Sequence, residues 1–149
     1  MLKWIMPLVR TTQETAELAA RFVQTLSNTA SAGATIIGLV GDLGAGKTTF
    51  VQAAAASLGV IDKVTSPTYI LEKIYRLEHA RFDHLIHIDA YRLEKPEELM
   101  NLGWREISAN PKNLIFLEWP ERVEDIMPKL YTKIIFNHVD EGSREITIV

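Results

Sequence analysis

The sequence predicts an α/β domain built on a mixed sheet. Three observations carry that reading. Short apolar, β-branched runs alternate with helical patterns. One such run, 35–40, leads straight into a glycine-rich turn and then a helix. The last 20 or so residues alternate about Glu141-Gly142-Ser143, as a hairpin does.

The elements follow in order. Residues 5–10 read as a short edge strand. Thr11-Thr12-Gln13-Glu14 has capping-box spacing, and Leu18, Phe22 and Leu26 recur at i+4, so 12–28 reads as an amphipathic helix. Residues 35–40 read as a buried strand. The helix after the glycine-rich turn covers 50–58, with Gly59 where a C-cap belongs. Residues 68–77 and 84–89 read as two strands joined by a connection short enough for an antiparallel hairpin. Pro96 opens a helix over 96–100, with Glu97 and Glu98 at its positive end. Residues 114–117 form an apolar strand core ending in Glu118-Trp119-Pro120. A short helix over 121–127 and a hairpin of 131–139 with 144–149 complete the chain.

Composition bounds the function. The 149 residues are 47% apolar and 23% charged, a globular balance that argues against a disordered tail, a fibre or a membrane protein. No apolar run approaches the ~20 residues of a membrane span, and Pro7 interrupts the short apolar N-terminus. The expectation is one domain over 1–149, cytoplasmic, with no membrane partner. Net charge is −3, which argues against unaided binding to nucleic acid. Without cysteine there is no disulfide scaffold, thiolate zinc site or cysteine nucleophile.

Gly41-Asp42-Leu43-Gly44-Ala45-Gly46-Lys47-Thr48 fits the phosphate-binding pattern G-x-x-x-x-G-K-[ST]. Glycines let the backbone approach phosphate, and successive N–H groups converge on its oxygens at a helix N-terminus. Lys47 brings a point charge to the β- and γ-phosphates, and Thr48 offers a hydroxyl to Mg²⁺. The strand before and the helix after supply the context the motif needs. The fold class becomes a P-loop NTPase-like α/β domain, its mixed, largely parallel central sheet flanked by helices and closed by the C-terminal hairpin.

In such sheets ligands bind beyond the carboxyl ends of strands. Asp89 and Glu118 both stand where an apolar strand runs out. Asp89 suits a Walker B-like role; Glu118 suits either a second Mg²⁺ contact or the orientation of water. Ser66-Pro67-Thr68-Tyr69 occupies the place of a nucleotide-sensitive switch, though a plain turn also explains it. His84-x-x-His87 puts its imidazoles on opposite faces of a strand, which argues against a shared metal. Asn137-His138-Val139-Asp140 reads as a hairpin turn. Trp104 reads as packing, Trp119 as packing or a stacking surface, and Arg92 as an ion pair or a stabiliser of transition-state charge.

Taken in order, Gly41–Phe50, Ser66–Tyr69, His87-Ile88-Asp89-Ala90-Tyr91-Arg92-Leu93, Pro96-Glu97-Glu98-Leu99 with Gly103, and Glu118-Trp119-Pro120-Glu121-Arg122 resemble the TsaE (YjeE) family of bacterial ATPases, which serves tRNA threonylcarbamoyladenosine biosynthesis. The resemblance covers roughly 6–123. It implies slow, Mg²⁺-dependent ATP hydrolysis beside two larger partners, TsaD and TsaB. Those partners install threonylcarbamoyl next to the anticodon of ANN-reading tRNAs, so tRNA is reached only through them. It implies ATP contacts from Leu43, Gly44, Ala45, Gly46, Lys47, Thr48 and Thr49, with Thr11 near the adenine. It implies Mg²⁺ held by Thr48, Glu118 and Asp89, and Lys47, Asp89 and Glu118 as the catalytic set. Arg92 and Trp119 become candidates for partner or stacking contacts. No built-in arginine finger is legible beyond Arg92. Two other readings stay open: a small-molecule kinase of the P-loop class, and a nucleotide-dependent binding module without useful turnover.

Overall fold

The computed structural model describes residues 4–26, 32–42, 44–60 and 71–149. Leu43 and the Ser66–Tyr69 segment lie outside the described residues.

Seven strands form one sheet in the order β1-β7-β6-β2-β5-β4-β3, with β1 at Trp4–Val9, β2 at Thr35–Val40, β3 at Glu72–Arg76, β4 at His84–Asp89, β5 at Asn113–Glu118, β6 at Thr132–Asp140 and β7 at Ser143–Ile148. The four central strands, β6, β2, β5 and β4, run parallel; β1, β7 and β3 add antiparallel margins. β1 is the edge strand its sequence predicts, β3–β4 is the antiparallel pair, and β6–β7 is the hairpin. Every residue of β5 is buried, as expected of a strand covered on both faces.

Period-2 alternation sends the two sides of each strand into separate cores. Ile37, Leu39, Leu85, Leu114 and Phe116 face α1 (Thr12–Leu26) and α2 (Lys47–Ser57). Phe50 of α2 is fully buried there, its ring 5.9 Å from Phe22, 6.5 Å from Phe116 and 5.9 Å from Phe136. Ile36, Ile86, Ile88, Ile115 and Leu117 face the other way, toward α3 (Pro96–Met100), α4 (Trp104–Ala109) and the 3₁₀ segment Pro120–Ile126. Trp104 belongs to this second core, its Nε1–H donating to the Ile126 carbonyl at 3.2 Å.

Element boundaries hold with informative exceptions. α2 begins at Lys47, so the last two motif residues, Lys47 and Thr48, and Thr49 after them are already helical. α4 is an additional helix: the sequence reading places one helix between 92 and 112, and there are two, broken at Gly103 with φ +86. Residues 137–140 are the end of β6, not a turn; the chain reverses one step later, between Asp140 and Ser143. At α1 the Thr11 hydroxyl accepts the Glu14 N–H at 3.0 Å, as a capping box requires, while Glu14 reaches back to the N–H of Arg10.

Candidate functional site

The loop after β2 and the ends of β4 and β5 meet at one end of the sheet. The parallel register sets Asp89 directly beside Glu118, and Leu39 of β2 on Glu118's other side. Alternation turns both carboxylates to the α2 face, where the helix begins at the glycine-rich loop. The result is a cleft of about 360 Å³ lined by Thr12, Gly44, Gly46, Lys47, Thr48, Thr49, Asp89, Glu118, Trp119 and Arg144.

Gly46 has φ +102, a region that L side chains avoid, and a Cβ there would lie 2.2 Å from the Arg144 guanidinium. No side chain caps the N-terminus of α2. Its first N–H groups therefore remain for an incoming anion, and the helix dipole favours one. Ala45, within the loop, is buried.

Lys47 is 4% exposed. Its ammonium donates to the Gly41 carbonyl and sits 4.0 Å from the centre of the Trp119 ring. Burial pulls its pKa below the ordinary lysine value; Glu118, Asp89, Glu121 and Asp42 oppose that shift. Trp119 adopts φ 61, ψ 51 as the chain leaves β5, and its ring also packs against Tyr91 with centroids 5.1 Å apart. Asp89 accepts the Tyr91 N–H at 2.9 Å. Glu118, 3% exposed, lies 2.6 Å from Nε2 of His87, which is completely buried.

The hydroxyl of Thr48 and the carboxylates of Asp89 and Glu118 are hard oxygen donors gathered beside an anion-accepting helix end. That donor set suits Mg²⁺ held next to phosphate.

Not every expected residue joins them. Thr11 caps α1 and lines a smaller neighbouring cavity with Arg10, Thr15, Thr49 and Arg144, while its neighbour Thr12 reaches the main cleft. Arg92 is exposed in the turn after β4, outside the cleft lining. Arg144, which the sequence reading does not name, comes from β7 and lies against Gly46 in the cleft lining. No local pattern marks Arg144, because strand order alone brings it there. His87 carried a signal that pairing it with His84 obscured: it stands two residues before Asp89, on the same strand face.

A glycine-rich loop between a parallel strand and a helix, facing acids at neighbouring strand ends, defines a P-loop NTPase fold. The crystal structure of Bacillus subtilis YdiB matches it with a TM-score of 0.73 and 27% identity, covering 99% of this chain and 83% of that one. The family model described as "Threonylcarbamoyl adenosine biosynthesis protein TsaE" matches residues 9–146. Proteins named tRNA threonylcarbamoyladenosine biosynthesis protein TsaE are 39% identical over 127 residues in a Nostoc strain (83% of this chain, 74% of the relative) and 33% identical over 140 residues in Treponema pallidum (94% and 99%). The chain belongs to the TsaE family, which is involved in tRNA threonylcarbamoyladenosine biosynthesis. Among the described residues, no helix is long and apolar enough to cross a membrane.

Proposed function

We propose that this chain is a single-domain, cytoplasmic ATPase that uses Mg²⁺ and serves threonylcarbamoyladenosine formation by acting on a TsaD–TsaB complex, without transferring the group itself. The observation that carries the reading is the convergence of the loop, Thr48 and the Asp89–Glu118 pair in one cleft. Backbone N–H groups of the loop and Lys47 bind the β- and γ-phosphates, and Arg144 adds positive charge over Gly46. Thr48, Glu118 and Asp89 hold Mg²⁺, which when bound supplies charge neutralisation across the phosphates. Glu118 serves either as that Mg²⁺ contact or as the group that orients water. Ser66–Tyr69 serves as the nucleotide-sensitive switch, and Leu43 completes the loop. Trp119 and Arg92 serve partner or stacking contacts. Acidic net charge accords with reaching tRNA only through the partners. Hydrolysis is favoured over transfer to a small metabolite, because Arg92 and Arg105, the arginines of the segment between β4 and β5, lie outside the cleft lining.

The test is phosphate release from ATP by the purified chain, alone and with TsaD, TsaB and tRNA, beside Glu118→Ala. Slow release that partners stimulate and the variant loses supports the proposal. Phosphate transfer to a metabolite, or no release under any condition, overturns it; the latter leaves a nucleotide-dependent binding module.

A further inference from the structure

His87 is the one imidazole sunk completely into the face that carries the cleft acids, and the reading above gives it no task. Its neighbours on that face of β4 are Leu85 and Asp89, and Phe116 lies directly across on β5. The side chain reaches diagonally along the sheet to Glu118, with Nε2 2.6 Å from Oε2. An ionised carboxylate can only accept, so Nε2 carries the proton and donates. Nδ1 is buried and without a hydrogen-bond partner among the described residues.

That imbalance is informative. A histidine kept only as core filling would meet both nitrogens or be cheaper as leucine, because a buried polar atom left unmet costs free energy. Here one nitrogen is left unmet and the other is spent on Glu118. The two cleft acids also differ in what they need. Asp89 is short and is held through Oδ1 by the Tyr91 N–H, so the backbone fixes it. Glu118 has one more rotatable bond, and His87 is its only hydrogen-bond partner among the described residues.

We infer that His87 is the positioning residue of Glu118: its Nε2–H holds Oε2 from behind, so the other carboxylate oxygen meets the cleft in a single orientation. The inference rests on the reading of Glu118 as an acid that serves Mg²⁺ or water. Outer-shell partners of this kind change metal affinity or activity by about 10–100-fold when removed.

The experiment compares wild type, His87→Leu, His87→Gln and Glu118→Gln in three measurements: ADP binding without Mg²⁺, the Mg²⁺ concentration giving half-maximal tightening of ATP binding, and kcat with KM for ATP hydrolysis. His87→Leu keeps the volume and removes the donor. It should bind metal-free ADP within about 3-fold of wild type, yet need ~10–100-fold more Mg²⁺ or lose ~10–100-fold in kcat at unchanged KM. His87→Gln keeps an N–H at comparable reach and should recover most of that loss. Wild-type Mg²⁺ dependence and kcat in His87→Leu overturn the inference, as does a His87→Gln no better than His87→Leu. If His87→Leu fails to fold, His87→Asn carries the same test, because its amide sits one position short of Nε2. Glu118→Gln separates the two claims. If it abolishes Mg²⁺ dependence while His87→Leu does not, only the inference falls. If Glu118→Gln itself behaves as wild type, the reading of Glu118 fails and takes the inference with it.

Discussion

The two faces of the sheet are built differently. One is covered by α1 and α2, helices of 15 and 11 residues, which close over a contiguous aromatic cluster around Phe50. The other is covered by α3, α4 and a 3₁₀ segment, of 5, 6 and 7 residues. The buried charges Lys47, Asp89 and Glu118, with His87, come from the long-helix side, while the short-helix side contributes Trp119 by reversing the chain after β5. Polar groups that must keep a fixed geometry thus stand on the stiffer half, where rotamers are locked by packing. The shorter pieces cover the face that carries none of the cleft's buried charges.

The largest expected effect tests that stiffness directly. Phe50→Ala opens a void in a rigid cluster and should cost about 3–5 kcal/mol in urea unfolding. Leu99→Ala, equally buried but under short helices that can settle inward, should fall at or below the low end of the ~2–5 kcal/mol range for such truncations. Equal costs would erase the contrast between the faces.

The second prediction concerns the charge on the stiff side. Because burial lowers the Lys47 pKa, the folded chain binds fewer protons than the unfolded chain between that lowered value and the ordinary 10.5. The unfolded state's excess protons make stability rise with pH across that window. Lys47→Met should flatten the rise and hold or raise nucleotide-free stability by ~1 kcal/mol, while weakening ATP binding. Melting curves from pH 7 to 10.5 would reveal it; a variant less stable than wild type throughout would show that Lys47 is structural.

The smallest effect lies on the other face. Burial raises the pKa of Glu72, whose Oε1 has no hydrogen-bond partner in the described residues. The folded state then holds its proton longer, so this group costs stability as pH rises from its unfolded value through the raised one. Glu72→Gln should be slightly stabilising at pH 7, by about 0.5 kcal/mol, and neutral at pH 3. A gain that is the same at both pH values would assign the effect to something other than ionisation.

What was legible follows from range. The edges of β4 and α3 were readable because an apolar run ends on Asp89 and Pro96 starts a helix, both local chemical signals. α4 was not: Trp104–Ala109 is too short for periodicity to show, and Gly103 before it reads as a stop. The helical start of α2 was hidden because Lys47 and Thr48 carry a loop motif's signature while already turning as helix. In the cleft, the loop residues and both strand-end acids were visible from motif and position. Arg144 was not, since only the order β7-β6-β2 brings it over Gly46. His87 fell between: its face was computable, but its partner was set by the β4–β5 register, which no single sequence states.

The lysine's present company has a kinetic side. Its ammonium is engaged by the Gly41 carbonyl and by the Trp119 ring. If the loop binds phosphate as proposed, the lysine must be drawn from these contacts, while Arg144 already lies against Gly46. Binding is an exchange, and the competitor is tethered, always present at the same effective concentration. An anion that enters the loop therefore competes with groups of the chain itself for that ammonium.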